Sequence, residues 1–328
     1  MLKRIITALT IIAVVFFGWY FQSIQPVTRL DLPVVDFEVK PGTGVDKIAN
    51  ELSDARLIRS RIGFKLTVIR LGIASKIQAG YFKLSPSMSA VEVVQALTHA
   101  YARQVRVTIP EGLRSEEINF ILEKTFSQVK DNRFNPAEFA RQTKNLEGRL
   151  FPDTYDFIPE ASASDVVKRL TGRFDSIIAD LKISEDKLPG VLIIASLLER
   201  EAANSDEMPS VAGVIERRLK IGMALQIDAT VQYALGSVKC KQINCDWCKK
   251  DLSKEDLQFR SAYNTYTNPG LPPAPISNPG KDALSAAANP SDGTAFYYLH
   301  DSAGKIHFAD TYAEHSQNIC TFLKKDCR

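Results

Sequence analysis

The chain is expected to be an α+β protein in three parts: one membrane-spanning helix, a small module and a larger mixed domain. Three observations predict this. An uncharged apolar run opens the chain, strand-like and helix-like hydrophobic periods alternate after it, and 328 residues suffice for two domains at ~150 residues each. Hydrophobic residues make up 45% and charged residues 24% of the chain, a globular balance that excludes disordered or collagen-like sequence. Lysine and arginine exceed aspartate and glutamate by 41 − 38 = 3. That excess is too mild for a nucleic-acid-binding face.

Lys3 and Arg4 precede the uncharged residues 5–21. Seventeen residues at 1.5 Å each give about 26 Å, the short end of a bilayer crossing. Trp19 and Tyr20 stand at its outer end, where amphipathic rings favour the interface. The stretch Gly18-Trp19-Tyr20-Phe21-Gln22-Ser23 offers no small-residue cleavage site. A buried core helix would seldom have a basic start and no polar face. Residues 1–23 are therefore expected to be an uncleaved, single-pass anchor. Its positive flank stays in the cytoplasm, so the rest of the chain lies outside the inner (cytoplasmic) membrane.

Five cysteines suit that compartment. Cys240, Cys245 and Cys248 form a C-x4-C-x2-C cluster, and Cys320 and Cys327 lie near the end. Zinc would want a fourth ligand, and no histidine lies within or beside the cluster, so disulfides are the expected use. An odd count leaves at least one thiol unpaired or paired between chains.

Residues 24–34 read as a spacer, and a small module follows over residues 35–109. Phe37 and Val39 alternate with Glu38 and Lys40 before the turn Pro41-Gly42-Thr43-Gly44. Val45, Ile48, Ala49 and Leu52 then recur at helical spacing. Ser60 is placed to cap a second helix, Tyr81-Phe82-Lys83-Leu84 reads as a strand, and Ser89 is placed to cap a third helix. Residues 104–109 alternate as a last strand. The order β-α-α-β-α-β suits a sugar-polymer-binding module of the LysM kind, a pattern other α+β modules share.

Pro110-Glu111-Gly112 marks the boundary to a second domain, residues 110–328. Helices are expected near 115–127, 135–144, 165–182 and 190–203, the third with Ser164 as N-cap. Asp301-Ser302-Ala303-Gly304, flanked by apolar runs, predicts a hairpin.

Helix 190–203 carries the most informative carboxylate. At 100° per residue, Glu201 projects within about 20° of Ile194, 40° of Leu197 and 60° of Leu198. An acid among aliphatic side chains is costly to ionise, so its pKa should rise, as a general acid near neutrality requires. Equally, an acid at a helix end is reached by water, and position alone leaves both readings open. Glu199 points about 160° away, so the two acids cannot share one small site. In Leu225-Gln226-Ile227-Asp228-Ala229-Thr230-Val231, apolar and polar residues alternate, as in a half-buried strand or a loop running into a helix. Gln226, Asp228 and Thr230 would offer hydrogen bonds to sugar hydroxyls, or form one solvated face. Tyr263-Asn264-Thr265-Tyr266, followed by Gly270-Leu271-Pro272-Pro273, is a second polar-aromatic cluster. None of the four histidines (99, 300, 307, 315) sits in a triad or metal-ligand spacing; they are expected to be structural or exposed.

These segments together resemble the endolytic murein transglycosylases of the MltG (YceG-like) family. The resemblance runs through Phe151-Pro152-Asp153-Thr154-Tyr155, Ile194-Ala195-Ser196-Leu197-Leu198-Glu199-Arg200-Glu201 and Val211-Ala212-Gly213-Val214. It continues through Arg218-Leu219, Gly222-Met223-Ala224-Leu225-Gln226, Asp228-Ala229-Thr230-Val231, Tyr263-Asn264-Thr265-Tyr266, Gly270-Leu271-Pro272-Pro273 and Asn278-Pro279-Gly280. The resemblance implies a catalytic domain with a lytic-transglycosylase-like helical core. It implies cleavage within peptidoglycan glycan strands at the β-1,4 bond between N-acetylmuramic acid and N-acetylglucosamine, leaving 1,6-anhydromuramoyl ends. The family's catalytic acid falls on Glu201, and its polar positions on Gln226, Asp228, Thr230, Tyr263 and Asn264. No metal or organic cofactor is implied, and contact with the glycan polymerases of the same membrane is implied by analogy. Ala229 stands where the family usually has proline, Ile227 where it has serine or threonine, and Arg217 where it has asparagine. A hydrolytic muramidase using Asp228 as second carboxylate, and a tethered glycan-binding scaffold, stay open as alternatives.

Overall fold

The computed structural model describes residues 2–101, 104–129, 132–240 and 251–323. Its contacts divide the chain into two units, Met1–Arg103 and Gln104–Arg328.

The first unit opens with helix α1 (Leu2–Ser23), of which Lys3–Ser23 is long and apolar enough to cross a membrane. Strand β1 (Val35–Val39) pairs antiparallel with β2 (Gly80–Leu84), Phe37 opposite Phe82. Helices α2 (Val45–Asp54) and α3 (Arg61–Leu71) lie between the two strands in sequence, and α4 (Ala90–Ala96) follows. Every second residue of β1 beyond Asp36 is buried, so one face meets the helices. Ile48, Leu52, Phe64, Val68 and Val93 fill the core against Phe82. Ser60 caps α3 by accepting from the Gly63 N–H, and Gly72, at φ 64, closes it in the left-handed conformation glycine favours. Ser89 and Glu92 form a capping box on α4.

Residues 24–34 are not a free spacer. The Ala90 N–H donates to the Ile24 carbonyl and the Thr28 N–H to the Pro86 carbonyl. Arg59 Nε donates to the Pro26 carbonyl at 2.6 Å. The chain leaving α1 is thus strapped to the module.

In the second unit, strand β3 (Val105–Thr108) precedes helices α5 (Ser115–Ser127) and α6 (Pro136–Thr143), then strand β4 (Thr154–Phe157). Here the structure corrects the sequence reading. β3 is not the last strand of the small module: it pairs antiparallel with β4, Val107 opposite Tyr155, and its buried residues join the core of the second unit. Alternation reveals a strand but not its partner, so the contact boundary falls at residue 103 rather than 109. Helix α7 (Ala163–Asp180) follows, capped by Ser162 rather than Ser164. Only Ser162 has an acid three residues on, Asp165, to complete a capping box.

Helix α8 (Leu188–Glu201) is the centre of the second unit, with residues Val191, Leu192 and Ile194 through Leu198 buried. Helices α9 (Met208–Lys220), α10 (Asp228–Lys239) and α11 (Lys281–Ala288) surround it. The alanines 283, 286 and 287 of α11 share its core, small side chains that let two helices approach closely. The predicted hairpin forms from β5 (Tyr297–His300) and β6 (Ile306–Ala309), Leu299 opposite His307. Helix α12 (Tyr312–Asn318) and one turn over Ile319–Leu323 end the described chain. Cys240 and Cys320 each take part in a disulfide, the use expected of these cysteines; Cys245, Cys248 and Cys327 lie outside the described residues.

Candidate active site

Helix α8 ends on Glu201 because the backbone turns extended at Ala202. The N–H of Ala203 is taken by the Glu207 carboxylate, which fixes the exit of the chain. Ile194, Leu197 and Leu198, on the face below Glu201, are buried, so the carboxyl sits over aliphatic side chains. Tyr298 of β5 donates its hydroxyl to Glu201 Oε2 at 2.9 Å. Burial is the largest influence on the Glu201 carboxyl and pushes its pKa up to about 7. The Tyr298 hydrogen bond pulls it down, the Asp228 carboxylate pushes it up, and the Ala229 N–H and His300 pull it down. Burial and the adjacent Glu201 hold the Tyr298 phenol well above its usual range. It therefore remains a donor at any working pH. The residue remains only partly covered, so Glu201 combines a poorly hydrated carboxyl with an opening to solvent.

The two polar clusters of the sequence meet beside it. Residues 225–233 are not a strand: the loop runs into α10, whose first residue is Asp228. The Gln226 N–H donates to the Thr265 carbonyl, and the Ile227 N–H to Thr265 Oγ1 at 2.9 Å. Tyr266 donates to Asp228 Oδ1 at 2.6 Å. Gln226 is exposed and held at φ 53, a left-handed conformation that costs a non-glycine residue roughly 1–2 kcal/mol. Strain of that kind, next to an exposed polar side chain, is characteristic of functional loops.

Two predicted sugar contacts have another task. Thr230 is fully buried; its hydroxyl donates to the Ile227 carbonyl at 2.6 Å and lies 3.0 Å from Thr265 Oγ1. Asn264 is also fully buried, donating to the carbonyls of Leu257 and Phe259 and accepting from the Tyr266 N–H. Their polar atoms are committed to stitching the two loops, so they position Gln226, Asp228 and Tyr266 instead of facing a ligand. Tyr263 belongs to a different group: its ring lies 4.8 Å from that of Tyr233, which the Arg114 guanidinium covers at 4.0 Å.

Glu199 is turned away, as the helical projection requires. Its Oε2 accepts from the Gly280 N–H at 2.9 Å, at the start of α11. Burial, and then the nearby Glu111 and Asp282, raise its pKa, while the Gly280 hydrogen bond opposes them.

Residue patterns did not single out Tyr298, Tyr266, Arg218, His300 and Glu207 as site groups. Arg218 is buried, donating from Nε to the Phe296 carbonyl and from Nη1 to the Leu225 carbonyl, both at 2.6 Å. It thereby joins the hairpin to the Gln226 loop and places a positive charge near Glu201 and Tyr298. His300, expected to be structural or exposed, lies near Glu201, and its Nε2 is 2.9 Å from the buried Glu207. Spacing could not expose these groups, which come from separate elements. Only Tyr266 and Arg218 lay inside quoted motifs.

Comparison with known proteins decides the family. The YceG-like family model matches residues 37–321, most of the chain and every residue of this site. The chain belongs to the YceG-like family. It is 31% identical to a Bacillus subtilis protein named endolytic murein transglycosylase, over 90% of this chain and 86% of that one. A Streptococcus pneumoniae protein of the same name is 24% identical over 96% of this chain and 64% of its own length. The crystal structure of a YceG-like protein from Listeria monocytogenes superposes with TM-score 0.55 at 28% identity, covering 87% of this chain and 98% of that one. Within this YceG-like chain the three departures have places. Arg217 donates to the carbonyls of Ala295 and Ser291 and so supports the lead-in to β5. Ile227 is buried. Ala229 keeps a backbone N–H whose presence lowers the Glu201 pKa, a group that proline would lack.

Proposed function

We propose that this protein is a peptidoglycan lytic transglycosylase, a carbon–oxygen lyase that cuts inside nascent glycan strands. The observation that carries the reading is Glu201, a carboxyl held near pKa 7 by burial, beside a neutral phenol donor and a polar, strained loop. A carboxyl with that pKa is available as acid and as base near neutrality. The names of the relatives supply the polymer.

In this mechanism protonated Glu201 gives its proton to the oxygen linking N-acetylmuramic acid to N-acetylglucosamine. The bond breaks through an oxocarbenium-like state. The Glu201 carboxylate then takes the proton of the sugar's own C6 hydroxyl, whose oxygen attacks C1 and closes the 1,6-anhydro ring. A nucleophile carried by the substrate needs no second carboxylate to activate water, unlike most glycosidases, and gains the advantage of an intramolecular reaction. Tyr298 stabilises the carboxylate form and Asp228 the protonated form. Gln226 and Asp228 are the exposed polar groups assigned to holding the saccharide. Tyr263 is assigned an outlying contact.

The rest of the chain fits a protein working at the membrane. Residues 5–21 anchor it with the N-terminus in the cytoplasm, as a single-pass protein of the inner (cytoplasmic) membrane. The first unit serves as a LysM-like glycan-binding module, a reading supported by its β-α-α-β order. A hollow of about 180 Å³ lined by Thr43, Gly44, Ala74 and Gln78 supports that reading. Glycan polymerases at the same membrane are the expected neighbours.

The test is mass spectrometry of uncrosslinked glycan strands incubated with the protein and with Glu201→Gln, which keeps the shape of the side chain and removes the titrating proton. Anhydro-ended fragments from the unmodified protein alone are expected. Reducing ends one water heavier would replace the reading with hydrolysis and direct attention to Asp228. Bound but uncut strands would leave a glycan-binding scaffold.

A further inference from the structure

The end of α1 is built into the module. Ser23 Oγ lies 2.5 Å from where a Cβ on Gly63 would be, so only glycine at that position of α3 admits so close an approach. Tyr20 and Thr67 hydroxyls are 3.0 Å apart, and the Arg70 guanidinium is 5.8 Å from the Tyr20 ring. Moving outward along α1 from Tyr20 to Ser23 therefore means moving backward along α3 from Thr67 to Gly63. The two helices run antiparallel at this contact. The straps from Ile24, Pro26 and Thr28 to the module hold the arrangement.

That geometry fixes which end of α3 faces the bilayer. Tyr20 lies in the last turn of the apolar run, and Arg70 reaches the same ring, so the C-terminal turn of α3 stands at the depth of the anchor's outer aromatic residues. Ile69 in that turn is 72% exposed, and among the described residues no carboxylate pairs with Arg70. Arg61 and Lys65, further back on α3, are paired with Asp54 and Asp46. Ile62 shares the face of Ile69 and is 56% exposed, but lies about 10 Å further out along the helix.

We propose that the C-terminal turn of α3 docks into the bilayer surface, with Ile69 among the upper acyl chains and Arg70 at the headgroup phosphates. An apolar side chain beside a long cation is the arrangement that interfacial helices use, the cation reaching back to the polar layer. The inference rests on reading residues 5–21 as a membrane anchor and goes beyond it: the module is held against the membrane in one orientation, not swung on a tether.

The full chain in phosphatidylcholine–phosphatidylglycerol vesicles, with lipids brominated near the headgroup end of their acyl chains, tests this. With the chain's second tryptophan removed throughout (Trp247→Phe), Trp19 reports the anchor, and its quenching is expected. In a Trp19→Phe background, Ile69→Trp is expected to lose most of its added emission and Ile62→Trp to keep it. Both positions are on the surface, so either indole fits without repacking. Gly63→Val, which pushes α1 off α3, is expected to relieve the quenching at residue 69 while leaving that of Trp19. Quenched Trp19 with equal emission from residues 62 and 69 would overturn the docking and leave the anchor intact. An unquenched Trp19 would overturn the anchor itself and this inference with it.

Discussion

Replacing Tyr298 with phenylalanine removes one oxygen, the donor 2.9 Å from Glu201, and tests whether that phenol tunes the acid. A hydrogen bond to a charged group is worth about 1.5–3 kcal/mol, and to a neutral group about 0.5–1.5 kcal/mol. The phenol also donates to the protonated carboxyl, so only the difference, about 1–1.5 kcal/mol, favours ionisation. At 1.36 kcal/mol per pKa unit, Tyr298→Phe should raise the Glu201 pKa by about one unit, from about 7 to about 8. Because the first step uses protonated Glu201, activity falls as pH rises through that value, and the variant's alkaline limb should lie about one unit higher. The assay is the initial rate of anhydro-ended fragment release from uncrosslinked strands between pH 5 and 9. At pH 8 the protonated fraction would be about one-half in the variant against about one-tenth in the unmodified protein. A limb that does not move, with activity lowered equally at every pH, would make Tyr298 a packing residue. A limb displaced to lower pH would refute the electrostatics of the site as described.

Glu201→Gln should be more stable than the unmodified protein at pH 8. A folded-state pKa of about 7 against an ordinary 4.5 means that protonation favours the fold. The contribution is complete below 4.5 and is lost as pH rises through 7, so urea melts at pH 5 and 8 should show up to about 3 kcal/mol more pH dependence in the unmodified protein. Equal dependence in both would place Glu201 in water. Gln226→Gly should gain about 0.5–1 kcal/mol by relieving the left-handed backbone while weakening glycan binding, read as a raised KM with kcat little changed. Ala229→Pro deletes the N–H that lowers the Glu201 pKa, at a first-turn helix position that tolerates proline. Its alkaline limb should move up, in the same direction as that of Tyr298→Phe, with circular dichroism preserved.

Much of this was legible where the physics is local. Periodicity placed α8, and the projection of Glu201 onto the side of Ile194, Leu197 and Leu198 anticipated a poorly hydrated carboxyl. Ser60 and Ser89 cap as their positions require. What sequence alone could not supply was partnership across distance. Tyr298 meets Glu201 from 97 positions away, and nothing in the alternation of β5 says which strand residue faces an acid. β3 was recognisable as a strand, yet its partner lies beyond two intervening helices. Thr230 and Asn264 were read as sugar contacts because a polar side chain in a polar cluster looks the same whether it faces water or a backbone carbonyl. Only burial separates the two. Ser162 was within reach, since the Ser162–Asp165 spacing is a local signal.

The arrangement also bears on why one acid should suffice. α8 carries two glutamates in its last turn and sends them in opposite directions, Glu199 to the Gly280 N–H and Glu201 to Tyr298. Glu199 is thereby spent on holding α11 and is unavailable to the same bond. The other carboxylate near Glu201 is Asp228, and its Oδ1 is engaged by the Tyr266 hydroxyl at 2.6 Å. A hydrolase would need Asp228 to activate a water through its other oxygen, or to attack carbon itself. In a lyase Asp228 keeps its hydrogen bond and acts through its charge, which opposes ionisation of Glu201. That effect conserves the proton for the leaving oxygen, and the substrate's own C6 hydroxyl supplies the nucleophile. Under the proposed reading ring closure asks no nucleophile of the protein, whereas hydrolysis asks Asp228 to activate a water, and the chemical form of the new chain end separates the two paths.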